Sequence, residues 1–244
     1  MVKNLFNRYE GNKTVRTLIH LIPGGVGSAI DANLDLRIKE LKEKKLRTFF
    51  DQLHDQLSEF PLDFIDSDDF LHCYFITVRS VLSARREEKI KLFADLFSSA
   101  IFKDFFKEVD EYEEMISVLD DLSYREIMVL NILSTFEKKH PFKPEKSKIN
   151  VIESYWDRFK TAVETTLNIN KEDVSSVIMR ITRSGFLTPY MAESNPAPET
   201  KMVFGKPIKM SGGIINTGEP IYRLNSFYYK FRGLVRVESE EDSY

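Results

Sequence analysis

Cysteine and histidine are scarce in this chain of 244 residues. Cys73 is the single cysteine, so the chain can form neither an internal disulfide nor a zinc site built from several thiolates, and this is typical of a reducing cytoplasm. The four histidines (His20, His54, His72 and His140) are scattered and form no HExxH motif. The sequence therefore predicts a cytoplasmic protein without a metal site.

Long apolar runs are also missing. A membrane-spanning helix needs roughly 20 mostly apolar residues, and the most apolar stretch, residues 15–30, is interrupted by Arg16, His20 and Pro23. The N-terminal ten residues lack the apolar run of a signal peptide. We therefore expect no stable membrane insertion and a packed N-terminal element. A helix lying in the membrane interface remains an alternative, because four aliphatic residues cluster just ahead of the glycines of this stretch.

Sequence motifs for catalysis and phosphate binding are not found. The glycine-rich segment 24–28 has no lysine before Ser28, which a P-loop requires, and it lacks the third glycine of a dinucleotide fingerprint. His72 and Cys73 are adjacent, and adjacent side chains on a helix point about 100° apart, so adjacency alone does not make them a catalytic pair. The sequence predicts a non-enzymatic protein without a cofactor.

Charge of one sign does not dominate the whole chain, but it is unevenly distributed. The chain has 35 Lys and Arg against 38 Asp and Glu, a net charge of −3, which excludes a wholly basic nucleic-acid binder but not a basic patch. Residues 171–236 contain ten basic and five acidic residues, whereas residues 237–244 contain four acidic residues and no basic one. Basic charge is thus concentrated in the last third, ahead of an acidic tail that we expect to be disordered.

Apolar residues at three- and four-residue spacing predict helices through the first half of the chain. No glycine or proline interrupts the pattern over residues 30–57, so one long helix is expected there. An N-cap at residues 66–69 precedes a run that is apolar on nearly every side and reads as a core helix. Together these segments predict an N-terminal helical bundle over residues 1–120; its helices are expected at residues 30–57, 70–82, 86–106 and 109–119.

The second half has the order of elements found in winged-helix domains. Ser123 and Glu126 have the spacing of a capping box at a helix start, and Gly185 is a typical helix stop. Extended segments on either side of a long loop over residues 195–218 predict a β-wing. We therefore predict a mainly α protein in which a winged-helix-like α/β domain over residues 121–236 follows the bundle; its helices are expected at 123–140, 151–167, 172–184 and 227–234, and its strands near 186–190 and 220–225.

Double-stranded DNA is one partner that this basic region could contact. The third helix of a winged helix reads bases, and it would present Glu172 and Asp173 near its N-terminus, where negative charge repels phosphate. Binding of a protein therefore remains an equal alternative. If DNA binds, Arg180 and Arg183 are expected in the groove, and the phosphate contacts are expected from Lys201, Lys206, Lys209 and Arg223.

Three stretches carry a resemblance to a known group of proteins. Residues 21–31 (LIPGGVGSAID) lead into a charged helix, and residues 85–100 (RREEKIKLFADLFSSA) precede residues 119–126 (LDDLSYRE). Together they resemble uncharacterised bacterial abortive-infection proteins of the Abi-alpha type. The resemblance implies a helical N-terminal half, a small winged domain and a role in phage defence, with no defined biochemical activity and no catalytic residue.

Three functions remain open from the sequence. The first is a non-enzymatic binding protein of bacterial phage defence that acts through contacts with a protein or a nucleic acid. The second is a winged-helix transcriptional regulator, which predicts a homodimer, because such regulators usually read paired half-sites. The third is a membrane-perturbing effector that acts through residues 15–30.

Overall fold

The structure of the chain is a computed structural model. It divides the chain into two compact units: one comprises Met1–Tyr124 and Lys230–Tyr244, and the other comprises Arg125–Tyr229. The chain is mainly helical, with a small antiparallel β component. The structure describes residues 8–9, 12–22, 32–56, 67–102, 109–141, 149–190, 193–194, 199–203, 206–210, 215–216 and 220–235.

The first unit contains the helices that the apolar periodicity predicts. Ser67 is the N-cap of the helix Asp68–Ser83, and its side chain accepts a hydrogen bond from the Phe70 amide at 3.2 Å, which confirms the cap predicted at residues 66–69. The predicted end of the fourth helix, residues 103–106, lies outside the described residues. The helices are α1 (Lys13–His20), α2 (Ala32–Gln56), α3 (Asp68–Ser83), α4 (Glu87–Phe102) and α5 (Val109–Asp121).

Aromatic side chains form the core of this first unit. The C-terminal half of α2 packs against α3 and α4, and α3 also packs against α5. Phe97 of α4 is fully buried, and its ring centroid lies 5.8 Å from that of Phe70, 5.8 Å from that of Tyr74 and 6.3 Å from that of Phe49. Tilted aromatic pairs at these distances add to the stabilisation from burial alone.

A buried polar contact also joins α2 to α4. Asp95 is 3% exposed, and its Oδ1 atom accepts hydrogen bonds from Gln52 Nε2 at 3.1 Å and from Gln56 Nε2 at 2.6 Å. Ser98 donates in turn to Gln56 Oε1. Because a buried carboxylate costs free energy unless it is hydrogen-bonded, these amides fix the register of the two helices.

Helix α1 is part of this core. Asn12 Oδ1 caps it by accepting from the Val15 amide at 3.0 Å, and Val15, Leu18 and Ile19 are fully buried. Tyr74 of α3 donates its hydroxyl to the Leu18 carbonyl. The prediction of a packed N-terminal element is confirmed for residues 13–20. No helix in the described part of the chain is both long enough and apolar enough to cross a membrane.

The second unit is built on three helices and a set of nested β-strand pairs. The helix Lys171–Ile181 has a buried face, as the sequence spacing predicts, and this face consists of Val174, Val177, Ile178 and Ile181. The helices are α6 (Tyr124–Lys139), α7 (Ile149–Leu167), α8 (Lys171–Ile181) and α9 (Ser226–Arg232), and a 3₁₀ turn (Thr182–Ser184) follows α8.

The strands of this unit pair antiparallel in nested order, with the first paired to the last. β1 (Leu187–Tyr190) pairs with β6 (Ile221–Leu224), β2 (Glu193–Ser194) with β5 (Ile215–Asn216), and β3 (Glu199–Val203) with β4 (Lys206–Met210). The inner two pairs share one register, since Glu193 pairs with Asn216 and, six residues further in on each side, Glu199 pairs with Met210. The sequence predicts a long loop over residues 195–218, and that prediction is wrong for the residues of β3, β4 and β5.

Gly185 ends the 3₁₀ turn in the left-handed conformation, with φ of 73°, which confirms the predicted stop. Among the described residues an added Cβ would meet only the Phe227 ring, at 4.0 Å, so the cost of a side chain comes from the backbone. We expect Gly185→Ala to lower the free energy of unfolding by about 1–2 kcal/mol, measured by urea denaturation. Gly185→Asn is the matched control and should cost less, because asparagine tolerates this conformation. Equal losses in both variants would contradict this origin.

Candidate nucleic-acid interface

Helix α8 is held by a cap at its N-terminus and by its apolar face. The Asn170 side chain accepts from the Glu172 amide at 3.3 Å, and Glu172 and Asp173 occupy the exposed first turn. Carboxylates at a helix N-terminus interact favourably with the helix dipole. They also place negative charge where a recognition helix would meet base edges, so this end of α8 is unsuited to reading DNA bases.

The C-terminal half of α8 presents a basic surface. Arg180 and Arg183 are both exposed, as is the thioether side chain of Met179, which is 59% exposed. Tyr222 of β6 places its hydroxyl 3.6 Å from Met179 Sδ, so the strand lies against this half of the helix. Arg183 lies in the 3₁₀ turn, at the point where the helix passes through Gly185 into β1.

Arg180 is engaged by a carboxylate of the same unit. Its Nε atom donates to Glu126 Oε1 at 2.9 Å; the arginine side chain is 51% exposed and that of Glu126 is 8% exposed. A buried carboxylate that holds an arginine neutralises part of its charge, and this weakens its attraction for phosphate. The sequence predicts Glu126 as part of a capping box. In the structure Glu126 is the ion-pair partner of Arg180 on α8.

Arg223 of β6 faces a second buried carboxylate. Its Nε atom lies 3.6 Å from Glu137 Oε1, which is too long for a hydrogen bond but close enough for an ion pair. Glu137 also accepts the Leu224 amide at 3.1 Å and the Tyr229 hydroxyl at 3.1 Å. Burial raises the pKa of Glu137, and the Leu224 amide and Arg223 oppose that rise. This carboxylate ties α6 to β6 and α9.

Two tyrosines beside Glu137 are kept protonated. Burial, together with the nearby Glu137 carboxylate, raises the pKa of Tyr155 to about 12 and that of Tyr229 to about 12. At neutral pH both phenols are therefore uncharged, and the Tyr229 hydroxyl donates to Glu137.

The predicted lysines lie on the inner strands, and their side chains are outside the described residues. Lys201 pairs with Ile208, Val203 with Lys206, and Thr200 with Lys209. Directly opposed residues of an antiparallel pair share a face, and faces alternate along a strand. The backbone positions of Lys201 and Lys206 thus belong to one face of the β3–β4 pair, and that of Lys209 belongs to the other.

The six predicted contact residues therefore fall into three groups. Arg183 is exposed at the junction of helix and strand, Arg180 and Arg223 are paired with buried carboxylates, and the three lysines lie in the β3–β4 pair. The sequence analysis missed the pairing roles of Glu126 and Glu137. No local signal reveals them, because their arginine partners lie 54 and 86 positions further along the chain.

Metal binding and thiol chemistry find little support in the described residues. Among them, no group of three or more His, Cys, Asp or Glu side chains is placed to hold a metal ion. Cys73 is fully buried, and burial, with smaller contributions from Asp69 and Glu113, raises the pKa of its thiol to about 12. The thiol is therefore a poor nucleophile at neutral pH. His72 is exposed and pairs with Glu113.

No protein-family model, no curated protein and no solved structure matches this chain.

Proposed function

We propose that this chain is a non-enzymatic binding protein and that residues 121–236 form a winged-helix-like domain that binds double-stranded DNA through its phosphates. The order of elements supports the proposal, because α6, α7 and α8 are followed by the antiparallel pair β1–β6, with further strand pairs nested between them. The exposed Arg183, at the junction of α8 and β1, is the observation that carries it. The resemblance to abortive-infection proteins adds phage defence as the cellular role.

The charge of the site favours contact with phosphates over readout of bases. Glu172 and Asp173 occupy the exposed first turn of α8, where recognition helices touch base edges. Arg183 lies at the other end of that helix, and the three lysines of β3 and β4 add positive charge on the strand side. Phosphate contacts position a protein on a duplex but carry no sequence information directly. We therefore expect weak sequence preference.

Fluorescence anisotropy with labelled duplex DNA at low salt tests the proposal. We expect the triple variant Lys201→Ala/Lys206→Ala/Lys209→Ala to weaken binding most, and Arg183→Ala to weaken it by about fivefold to tenfold, because each lost phosphate contact removes one charge pair. Random and palindromic duplexes should respond alike.

The control for this experiment is Lys138→Ala, which removes an exposed lysine from α6, outside α8 and the strands. It should bind DNA like the wild-type protein. If Arg183→Ala and the triple lysine variant both bind DNA with the affinity of Lys138→Ala and of the wild-type protein, the DNA contacts do not lie on this surface. The proposal is then wrong.

A protein-binding module is the second candidate for the same surface. The exposed Met179 favours it, because flexible thioether side chains are common on surfaces that bind proteins, and so does the neutralisation of Arg180 by Glu126. A transcriptional regulator, by contrast, predicts a homodimer, because such regulators usually read paired half-sites. Light scattering separates these functions, because a strictly monomeric protein counts heavily against the regulator.

The membrane-perturbing function has less physical support. Val15, Leu18 and Ile19 would have to enter the bilayer, and they are fully buried within their own unit. Exposing them costs the hydrophobic stabilisation that they now provide. Flotation with anionic liposomes at low salt tests this hypothesis, and a protein that stays at the bottom of the gradient excludes it.

A further inference from the structure

Residues 37–42 of α2 lie outside the core of their unit. Every side chain from Arg37 to Lys42 is exposed, including Ile38 at 42% and Leu41 at 54%. The C-terminal half of the same helix is different, because its apolar residues are fully buried there. We call residues 37–45 the outer half of α2.

The two exposed apolar residues of the outer half share one side of the helix. Ile38 and Leu41 are three residues apart, and in the sequence Leu34 lies four residues before Ile38. Alternating steps of four and three are the spacing of a coiled-coil seam, with Ile38 at an a position and Leu41 at a d position. The seam ends at Lys45, whose ammonium group donates to the Leu82 carbonyl of α3 at 2.6 Å.

Positive charge borders this apolar pair on both sides. In the same heptad frame, Arg37 and Lys44 occupy g positions and Lys42 occupies an e position, which are the positions that pair with a partner helix. Within residues 37–45 the acidic residues fall elsewhere: Glu40 is at c, and Glu43 is at f and pairs with Arg47 at 3.5 Å. Asp35, just before the outer half, is at an e position. An apolar strip with basic borders is complementary to an acidic amphipathic helix.

Neither a second copy of this helix nor a nucleic acid fits the surface as well. In a parallel pair Arg37 of one copy would face Lys42 of the other, so like charges would repel. In an antiparallel pair Arg37 would face Lys44, and this repulsion would offset the attraction between Lys42 and Asp35, so charge does not favour a second copy. Phosphates would satisfy the basic residues but leave Ile38 and Leu41 in water. An acidic amphipathic helix satisfies both the charges and the apolar residues.

We propose that the outer half of α2 is a docking site for an acidic amphipathic helix of a partner protein. Ile38 and Leu41 pack against the apolar side of that helix, and Arg37, Lys42 and Lys44 pair with its carboxylates. This surface lies in the first unit, so the interaction is separate from the DNA contacts proposed for residues 121–236.

Labelled synthetic peptides test this proposal with the full chain. The first peptide is an amphipathic helix with leucine at the a and d positions and glutamate at the e and g positions. The second has the same composition with its leucines dispersed around the helix, and the third has lysine in place of glutamate. Fluorescence anisotropy is expected to detect binding of the first peptide only, with an affinity that falls as salt rises.

Variants of the protein locate the site. We expect Ile38→Ala/Leu41→Ala to weaken binding of the first peptide by about tenfold or more, since central apolar anchors carry most of the energy of such interfaces. Lys42→Glu/Lys44→Glu should abolish the difference in affinity between the first peptide, which carries glutamate, and the third, which carries lysine. The control is Phe75→Ala/Arg79→Ala, which removes an exposed aromatic and an exposed arginine from α3 and should bind normally. All the substituted residues are largely exposed, so circular dichroism should show an intact fold.

Three outcomes overturn the proposal. One is failure of the first peptide to bind, and another is normal binding by Ile38→Ala/Leu41→Ala. The third is concentration-dependent self-association that the same double variant abolishes, since the surface would then join two copies of this chain.

Discussion

Replacing Phe97 with alanine is expected to lower the free energy of unfolding by about 4 kcal/mol. Phe97 is fully buried between α2 and α3, and the rings of Phe49, Phe70 and Tyr74 surround it. The substitution removes the transfer free energy of a phenyl group and leaves a cavity among rigid rings that cannot close around it. Urea denaturation followed by far-ultraviolet circular dichroism measures the loss.

The control for Phe97 is Phe75→Ala on α3. Phe75 is 41% exposed, and its ring is tilted against that of Tyr74 at 5.8 Å, so its removal opens no closed cavity. We expect a cost of about 1 kcal/mol or less for this variant. If the two alanine variants lose similar amounts of stability, the aromatic cluster around Phe97 is not the core of the first unit.

Glu137→Ala is expected to cost about 3 kcal/mol of stability in the second unit. The substitution removes the acceptor of the Leu224 amide and of the Tyr229 hydroxyl, and it leaves the half-buried Arg223 without its carboxylate. Trp156 is the only tryptophan and lies in this unit, so its fluorescence follows unfolding of the unit directly. Glu153→Ala, at an exposed position of α7, should change stability by less than about 0.5 kcal/mol.

The pH dependence of Glu137 has a definite sign. Burial raises its pKa from the ordinary value of 4.5, so the folded state binds the proton more tightly than the unfolded state does. The contribution of this tighter proton binding to the free energy of unfolding is fully present below about pH 4.5, and it is lost as the pH rises through the pKa of Glu137 in the folded state. The stability of the wild-type protein relative to Glu137→Gln should therefore be highest at acidic pH. A difference that grows with rising pH would mean that Arg223 and the hydrogen bonds outweigh burial.

The helices could be predicted closely from the sequence because their signals are local. The apolar spacing over residues 30–57 predicts α2 to within a few residues, and Ser67 and Gly185 mark a start and a stop through their own side-chain and backbone preferences. Burial of the apolar side of α1 also follows, since its length and its charges are unsuited to a bilayer.

The strand pairs inside residues 190–218 could not be predicted in the same way. β2 and β5 have two residues each, too few for an alternating pattern, and Pro207 lies within β4, where proline usually argues against a strand. Their pairing depends on register between segments that are distant in sequence. The proline and glycine residues between 195 and 218 therefore indicate a loop, although the backbone there forms short antiparallel strand pairs.

The candidate site was only partly accessible from the sequence. The surplus of basic residues in 171–236 indicates the region of the charged surface, because charged residues can be counted directly in the sequence. Which arginines remain available depends on buried carboxylates far away in the chain. Arg180 and Arg223 have such partners in Glu126 and Glu137. Arg183 lies at an exposed turn, so the proposed phosphate contacts are assigned to Arg183 and the three lysines of β3 and β4.

Binding of labelled duplex DNA to the full chain across a salt series tests the proposed phosphate contact most directly. If Arg183 and the three lysines of β3 and β4 each neutralise one phosphate, the logarithm of the binding constant should fall against the logarithm of salt concentration with a slope of about −3 to −4. Arg183→Ala should make the slope shallower by about one. Absence of binding at low salt, or affinity that does not change with salt, would contradict DNA binding by this domain and identify it as a protein-binding module.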